Sequence, residues 1–489
     1  MEQPIPSTIF HFDNVKASDS FHTWFDNFSW WVKPGETWCV LGGNGSGKTL
    51  LAALLRGELP ISSGEFQASW WTGERTEGTL PSLISFEALK SILDFERWND
   101  DSEFLEGGID PGRSVARFVG DHNPWVQSLG LPGLLDRGLK FLSSGELRRA
   151  LLARELHTCP PLLILDEPYE ALDQEARGIL QNLWITLKVP QIFFLQRLED
   201  IPAHATHFLI LQDRDIIRSG PRESYNPEEL ESLMNPQGGD LENLPPIPQD
   251  TEPLPDTLVD MRNITVNYGD KVVLDGFTWS VRPGDHWLIT GPNGAGKSTL
   301  LSLITGDNVQ AHREKVLLFG QHRSAQTLWE LRRRQGVVSA SLHQAHDHNL
   351  DQPLWAIVAG GLFDTIGLYE TLGWERKEFI QLWLKAFGMN DYAHLPFPHL
   401  SYGLQRLALL LRALVKEPPL LILDEPCQGL DTHHTHMFLN AVDKIAKENR
   451  STILYVTHRQ EEKLQCLKNH LQFEKTEQGT YFPKIRALP

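Results

Sequence analysis

The chain carries one segment twice. Gly35 opens GETWCVLGGNGSGKTLLAALLRG and Gly284 opens GDHWLITGPNGAGKSTLLSLITG. A second pair follows: PPLLILDEPYEALD from Pro160 and PPLLILDEPCQGLD from Pro418. Lys48 and Lys297 lie 249 positions apart, and Asp166 and Asp424 lie 258 apart. Two motifs repeated in the same order mean a tandem duplication of one domain, so whatever one half folds into, the other folds into as well. Domain 1 is read as 1–222 and domain 2 as 258–489. Between them, 223–257 is read as an extended acidic connector. From Pro221 to Leu258 there are nine acids and a single Arg, with a cluster of prolines, a composition that favours extended chain.

Each half reads as strand, Gly-rich loop, helix. Trp38–Leu41 and Trp287–Thr290 are short apolar runs of the kind buried on both faces of a sheet. The Leu-rich stretches after Lys48 and Lys297 end at Gly57 and Gly306, as helices that stop on glycine do. Leu162–Leu165 and Leu420–Leu423 are two more buried strands. The fold class is α/β: two tandem domains, each with a mostly parallel sheet.

The loops Gly42-Gly43-Asn44-Gly45-Ser46-Gly47-Lys48-Thr49 and Gly291-Pro292-Asn293-Gly294-Ala295-Gly296-Lys297-Ser298 both fit G-x4-G-K-[ST], with Thr299 following in the second. Glycines let successive backbone N–H groups turn toward phosphate oxygens. The helix that follows presents its positive end to the same anion. Lys48 or Lys297 brings charge to the β- and γ-phosphates, and Thr49 or Ser298 offers a hydroxyl to Mg²⁺. A single match of this length arises by chance in roughly one or two such chains per hundred. Two, each between an apolar strand and a helix, do not. Asp166 and Asp424 end apolar strands and are read as Mg²⁺-orienting carboxylates at the end of a neighbouring strand. Glu167 and Glu425, next in sequence, are read as the groups that polarise the attacking water.

These residues bring a family resemblance with them. Leu142-Ser143-Ser144-Gly145-Glu146 and Leu400-Ser401-Tyr402-Gly403-Leu404 resemble the LSGGQ signature of ABC-type ATPases. Ala171-Leu-Asp173 and Gly429-Leu-Asp431 resemble the D-loop, and Thr457-His458-Arg459 the switch-histidine segment. Tyr268 stands where that family stacks an aromatic ring on adenine. The blocks LSSGELRRALLAREL and LSYGLQRLALLLRAL, with the Trp-rich strands, resemble the ModF or photorepair-type tandem proteins of bacteria, whose name associates them with molybdate transport. The resemblance implies a small helical signature subdomain in each half and head-to-tail pairing of the halves in a monomer. ATP would lie between one phosphate loop and the other half's signature. Site one would join Lys48, Thr49, Asp166 and Glu167 to Ser401, Gly403 and Leu404. Site two would join Lys297, Ser298, Asp424 and Glu425 to Ser143, Gly145 and Glu146.

The resemblance is uneven. Gln196 aligns with His458, and an amide cannot take up a proton as imidazole can. Leu404 replaces a polar signature residue, and Asp19 falls at the adenine position, with Phe21 or Trp24 as substitutes. Site two is therefore expected to hydrolyse ATP while site one turns over slowly or holds it. The family's glutamine loop has no clear counterpart. The candidates Ile84-Ser-Phe-Glu87 and Val338-Ser-Ala-Ser341 lack the glutamine, which counts against ordinary transporter coupling.

Composition narrows the partners. Acids outnumber Lys and Arg 63 to 45, for a net charge of −18, so nucleic acid is not the expected ligand. No apolar run approaches the ~18 residues of a membrane span, and residues 1–14 show no leader pattern. A cytoplasmic ATPase is expected, with a membrane transporter subunit as its partner and a peripheral place on the inner membrane face. The alternatives are a ribosome-acting tandem ATPase, against which the acidic connector counts, and a DNA-repair ATPase. The histidines 343, 346 and 348, and 433, 434 and 436, are read as solvated groups in or beside loops rather than metal ligands. The four cysteines, far apart and without a CxxC pair, exclude a disulfide framework and a zinc ribbon on spacing. Trp30-Trp31 and Trp70-Trp71 are read as alternating strand residues.

Overall fold

The computed structural model describes residues 8–18, 23–70, 80–100, 110–170, 172, 174–212, 214–234, 245, 254–268, 271–307, 316–322, 328–339, 352–365, 367–400, 402–459, 462, 464–475 and 481–487. The chain divides into two compact units, Met1–Pro236 and Gln237–Pro489.

In the first unit the strands are β1 (Phe10–Ser18), β2 (Thr23–Val32), β3 (Trp38–Leu41), β4 (Ile61–Ala68), β5 (Ser82–Ile84), β6 (Leu163–Asp166), β7 (Gln191–Leu195), β8 (His207–Gln212) and β9 (Asp215–Pro221). A six-stranded sheet runs β5-β6-β7-β3-β8-β9, parallel except for the edge pair β8–β9. A separate antiparallel sheet runs β2-β1-β4. The layering follows from period-two alternation. Trp38, Val40, Ile164 and Phe194 point into the core shared with the antiparallel sheet. Cys39, Leu41, Leu165 and Phe193 point into the core shared with helices. Every residue of β3 is buried, which is why the strand reads as an unbroken apolar run. The antiparallel sheet falls outside the mostly parallel expectation. Its strands alternate, with Trp30 at 2% exposure beside Trp31 at 57%, as a sheet with one wet face requires.

The helices of this unit that bear on function are α1 (Lys48–Leu55), α2 (Phe86–Trp98), α3 (Ser144–His157) and α4 (Pro227–Met234). The last lies inside the stretch expected to be connector. Asn226 accepts the Glu229 N–H at 2.7 Å, Pro227 opens the helix, and Glu228 and Glu229 occupy its first turn. Leu230 and Met234, on one face, join Tyr225 in the core of the first unit. The acidic average over the whole stretch hides this short amphipathic helix.

The second unit repeats the plan. Its strands are β10 (Val259–Tyr268), β11 (Lys271–Val281), β12 (Trp287–Thr290), β13 (Val316–Leu318), β14 (Gln321–His322), β15 (Gln335–Val338), β16 (Leu420–Asp424), β17 (Thr452–Val456), β18 (Asn469–Lys475) and β19 (Tyr481–Ala487). The main sheet runs β15-β16-β17-β12-β18-β19 and the antiparallel one β11-β10-β13-β14. Helices α5 (Lys297–Thr305), α6 (Tyr402–Leu414) and α7 (Thr432–Lys447) are the ones used below. Among the described residues no helix is long and apolar enough to cross a membrane.

Candidate nucleotide sites

Both phosphate loops leave the carboxyl end of a central strand, where ligands collect in open α/β sheets. The loop of the first unit joins β3 to α1, and that of the second joins β12 to α5. Gly45 and Gly47 have φ of 80° and 104°, and Gly294 and Gly296 have φ of 75° and 108°. That left-handed region is what turns consecutive N–H groups to one side, and side chains resist it. Lys48 Nζ donates to Gly42 O at 2.6 Å and Gly43 O at 2.9 Å. Lys297 Nζ donates to Gly291 O at 2.7 Å and Pro292 O at 3.0 Å. Thr49, Ser298 and Thr299 lie in the first helical turns that follow.

The acidic strand is not the neighbour of the loop strand that the sequence suggests. β7 stands between β6 and β3, and β17 between β16 and β12. Strand order is set by crossover connections that no local pattern reports. The correction matters, because the chain leaving the intervening strand carries Gln196, directly after β7, in the first unit and His458, two residues past β17, in the second.

Glu167 and Glu425 have φ of 46° and 47°, a costly region for a side chain. Each is held by its neighbours: Glu167 N–H donates to Phe194 O at 3.0 Å and Glu425 N–H to Val456 O at 2.9 Å. An arginine clamps the carbonyls of the same turn. Arg148 on α3 donates to Glu167 O and Pro168 O. Arg406 on α6 donates to Glu425 O at 2.9 Å, Ser339 O at 3.1 Å and Pro426 O at 3.3 Å. These arginines escaped the sequence reading. The signal was present, since their positions differ by 258, the same offset that relates Asp166 to Asp424.

The carboxylates of the two units differ. His458 Nδ1 lies 3.0 Å from Glu425 Oε1. Burial raises the Glu425 pKa, but His458, Lys297 and Arg406 outweigh it and hold the group below the ordinary glutamate value. Asp424 is pushed up to about 6 by burial and then by Glu425 beside it. Among the described residues Glu167 has no imidazole partner. Its Oε1 is buried without a hydrogen bond, and burial holds its pKa well above the ordinary value despite Lys48. Gln196 is buried at the end of β7.

A cavity of about 510 Å³ opens on the second loop, lined by Asn293, Gly294, Gly296, Lys297, Ser298, Thr299, Asp424 and Glu425, together with Tyr268, Val273 and Gln428. Tyr268 is half exposed, so a ring face is accessible for stacking. Val273 and Gln428 were not foreseen. Gln428 sits three residues past Glu425 and could have been. A serine or threonine hydroxyl with carboxylate oxygens is a hard-oxygen donor set that suits Mg²⁺, and a dication would relieve the crowding of Asp424 by Glu425. In the first unit Arg214 packs over the loop: its N–H donates to Ser46 O at 2.9 Å, and its Cγ lies 3.2 Å from where a Cβ on Gly47 would stand. Asp19 and Phe21 fall outside the described residues, and Trp24 is half-buried on β2.

The signature segments begin α3 and α6. Ser143 caps α3, accepting Glu146 N–H at 3.3 Å, while Glu146 Oε2 accepts Ser143 N–H at 2.7 Å. Gly145 packs in the first turn against Leu172. Gly403 and Leu404 are buried at the start of α6, and Ser401 falls outside the described residues. So do Ala171 and Asp173 of the first D-loop, whereas Asp431 caps α7 through His434 N–H. Of the glutamine-loop candidates, Ile84 ends β5 and Val338 ends β15, both edge strands, and Ser85 caps α2. Residues 340–350 fall outside the described ones, His343, His346 and His348 with them. His433, His434 and His436 lie in the first turns of α7, next to the loop that Asp431 closes. Among the described residues no group of His, Cys, Asp and Glu could hold a metal ion on its own. The four cysteines are free.

A family model described as ABC transporter matches residues 25–170 and 274–428. The ABC transporter ATP-binding protein ModF of Escherichia coli is 36% identical over 465 residues, covering 90% of this chain and 92% of that protein. An ABC transporter ATP-binding protein of Schizosaccharomyces pombe is 29% identical over 487 residues, covering 93% and 96%. Among solved structures, the chain resembles archaeal ABCE1 bound to the ribosome with Pelota, at TM-score 0.62 and 17% identity over 97% of this chain and 78% of that one. It also resembles the archaeal ribosome recycling factor aABCE1 in complex with a ribosomal stalk protein, at TM-score 0.57 and 16% identity over 96% and 89%. At these identities the structural likeness speaks for the fold alone.

Proposed function

The chain belongs to the ABC transporter family of ATP-binding proteins, and on that footing we propose that it is an ATPase whose two units close head to tail on nucleotide within one chain. The first composite site takes Lys48, Thr49, Asp166 and Glu167 with Ser401, Gly403 and Leu404. The second takes Lys297, Ser298, Asp424 and Glu425 with Ser143, Gly145 and Glu146. Tyr268 stacks on adenine in the second. Thr49 with Asp166, and Ser298 with Asp424, hold Mg²⁺, which when bound supplies positive charge at the β- and γ-phosphate oxygens.

The second site is the hydrolytic one. The observation that carries this is the Glu425–His458 contact at 3.0 Å. It keeps Glu425 ionised, and so able to orient and polarise water, while the imidazole stands ready to donate at the γ-phosphate. Glu167, half-buried and held toward its neutral form, has Gln196 at the position of the imidazole and lacks both properties. In the first site nucleotide is held and turns over slowly. The test is ATPase turnover of Lys297→Ala against Lys48→Ala. Removing a charge-assisted bond worth about 1.5–3 kcal/mol from the working site costs roughly 10- to 150-fold, and from the other site far less. Equal losses refute the asymmetry.

Turnover is coupled to a partner, and the ModF likeness favours a transport-associated one, a membrane subunit that places the protein on the inner face of the membrane. Glu425→Gln, which removes the polarising carboxylate and favours the closed ATP state, is the bait. Recovery of a membrane protein supports this reading, whereas co-sedimentation with ribosomes replaces it with a translation role.

A further inference from the structure

Behind His458 a single carboxylate ties several groups together. Glu462 is 5% exposed, and its Oε2 accepts from Tyr455 OH and from Thr457 Oγ1, each at 2.8 Å. Thr457 Oγ1 accepts in turn from Arg459 N–H at 3.0 Å. The residues on either side of His458 are therefore pinned to one buried acceptor, and its ring is left to reach Glu425. Cys427, two residues past Glu425, lies with its sulfur 3.6 Å from the Tyr455 hydroxyl, so the same network touches the acidic turn. A desolvated carboxylate with its hydrogen bonds made holds its surroundings in one arrangement.

The first unit has dismantled this device. Phe193, Leu195 and Asp200 align with Tyr455, Thr457 and Glu462. Neither Phe193 nor Leu195 has a hydroxyl to donate, and Asp200 pairs instead with Arg177 at 2.8 Å. The pin and the imidazole are absent from the same half.

We propose that Glu462 is the positioning residue for His458, fixing the imidazole against Glu425 by accepting the hydroxyls of Tyr455 and Thr457. The proposal rests on the reading of the second site as the hydrolytic one. Its test uses the full chain. Glu462→Ala lowers kcat roughly 10- to 100-fold with KM for ATP within about twofold, the cost of a misplaced catalytic group. Glu462→Gln retains an amide oxygen able to accept both hydroxyls and stays within about threefold of wild type. In a His458→Ala background Glu462→Ala costs less than about twofold more, because there is no imidazole left to place. In nucleotide-free protein, hydrogen exchange at the Arg459 amide quickens at least about tenfold in Glu462→Ala and is unchanged in Glu462→Gln. Should Glu462→Ala not fold, Tyr455→Phe with Thr457→Val, which like the first unit offers no hydroxyl at either position, carries the same expectation for kcat and KM. Losses that add in the double variant, an undisturbed Arg459 amide, or a Gln variant as impaired as Ala overturns the proposal. Wild-type turnover in His458→Ala would instead overturn the reading of the second site.

Discussion

Arg406 is the most exacting place to test how the second unit is held together. The side chain is 1% exposed and gives its guanidinium to the carbonyls of Ser339, Glu425 and Pro426. A fourth contact, to Asp424 O at 3.5 Å, is too long to count for much. Glu425 O keeps a second donor, Gln428 N–H at 3.3 Å. Replacing Arg406 by Ala takes a donor from the carbonyls of Ser339 and Pro426, at about 1–3 kcal/mol for each buried acceptor left unsatisfied. Water entering the space left by the guanidinium offsets part of that, so about 3 kcal/mol is expected. Arg406→Lys keeps the charge but not the fork, and loses about half as much. The measurement is urea unfolding of the full chain followed by tryptophan fluorescence. The first unit, which the substitution does not touch, serves as internal reference. ATPase turnover falls in parallel, because the clamp fixes the turn that carries Glu425. A loss below about 1 kcal/mol for Arg406→Ala, with turnover intact, would show that the arginine is not what secures this turn.

Other outcomes are equally definite. Gly296→Ala puts a Cβ 2.7 Å from Val273 Cγ1 at a φ of 108°, so it should abolish nucleotide binding at the second loop, read by fluorescent-nucleotide titration, with the fold retained by circular dichroism. Leu230→Ala removes a core side chain of α4 and should destabilise the first unit by about 2–3 kcal/mol in the same urea assay; a free connector would show no change. His286 is buried, accepts the Ile453 N–H at 3.2 Å, and has its pKa lowered by burial and then by Lys468. The folded state therefore binds that proton less readily than the unfolded chain, and stability present above pH ~6.5 is lost as pH falls. His286→Gln keeps the acceptor and removes the titration. Its melting temperature should gain on wild type from pH 7.5 to 5.5, by the equivalent of at most about 1.4 kcal/mol per pH unit.

Much of this was legible in the residues. The phosphate loops, the buried strands and the helix caps depend on neighbours in sequence, and local chemistry specifies them. What escaped depends on residues far apart. That β7 separates β6 from β3 follows from crossovers, and that Arg148 and Arg406 reach an acidic turn follows from how α3 and α6 lie on their sheets. The pairing of Glu462 with Tyr455 and Thr457 is nearly local, but a glutamate past a strand usually faces water, and only burial makes it a constraint. Helix α4 was hidden by averaging: nine acids across the segment outweighed Leu230 and Met234 at helical spacing.

The lysines of the two loops have a consequence of their own. Each ammonium already serves two carbonyls of its own loop. A triphosphate that recruits this charge does so by exchange, and gains only the difference between a phosphate oxygen and a peptide oxygen. Such a grip forms without rebuilding the backbone and lets go without a large penalty, as befits a machine that must discard its spent fuel on every cycle.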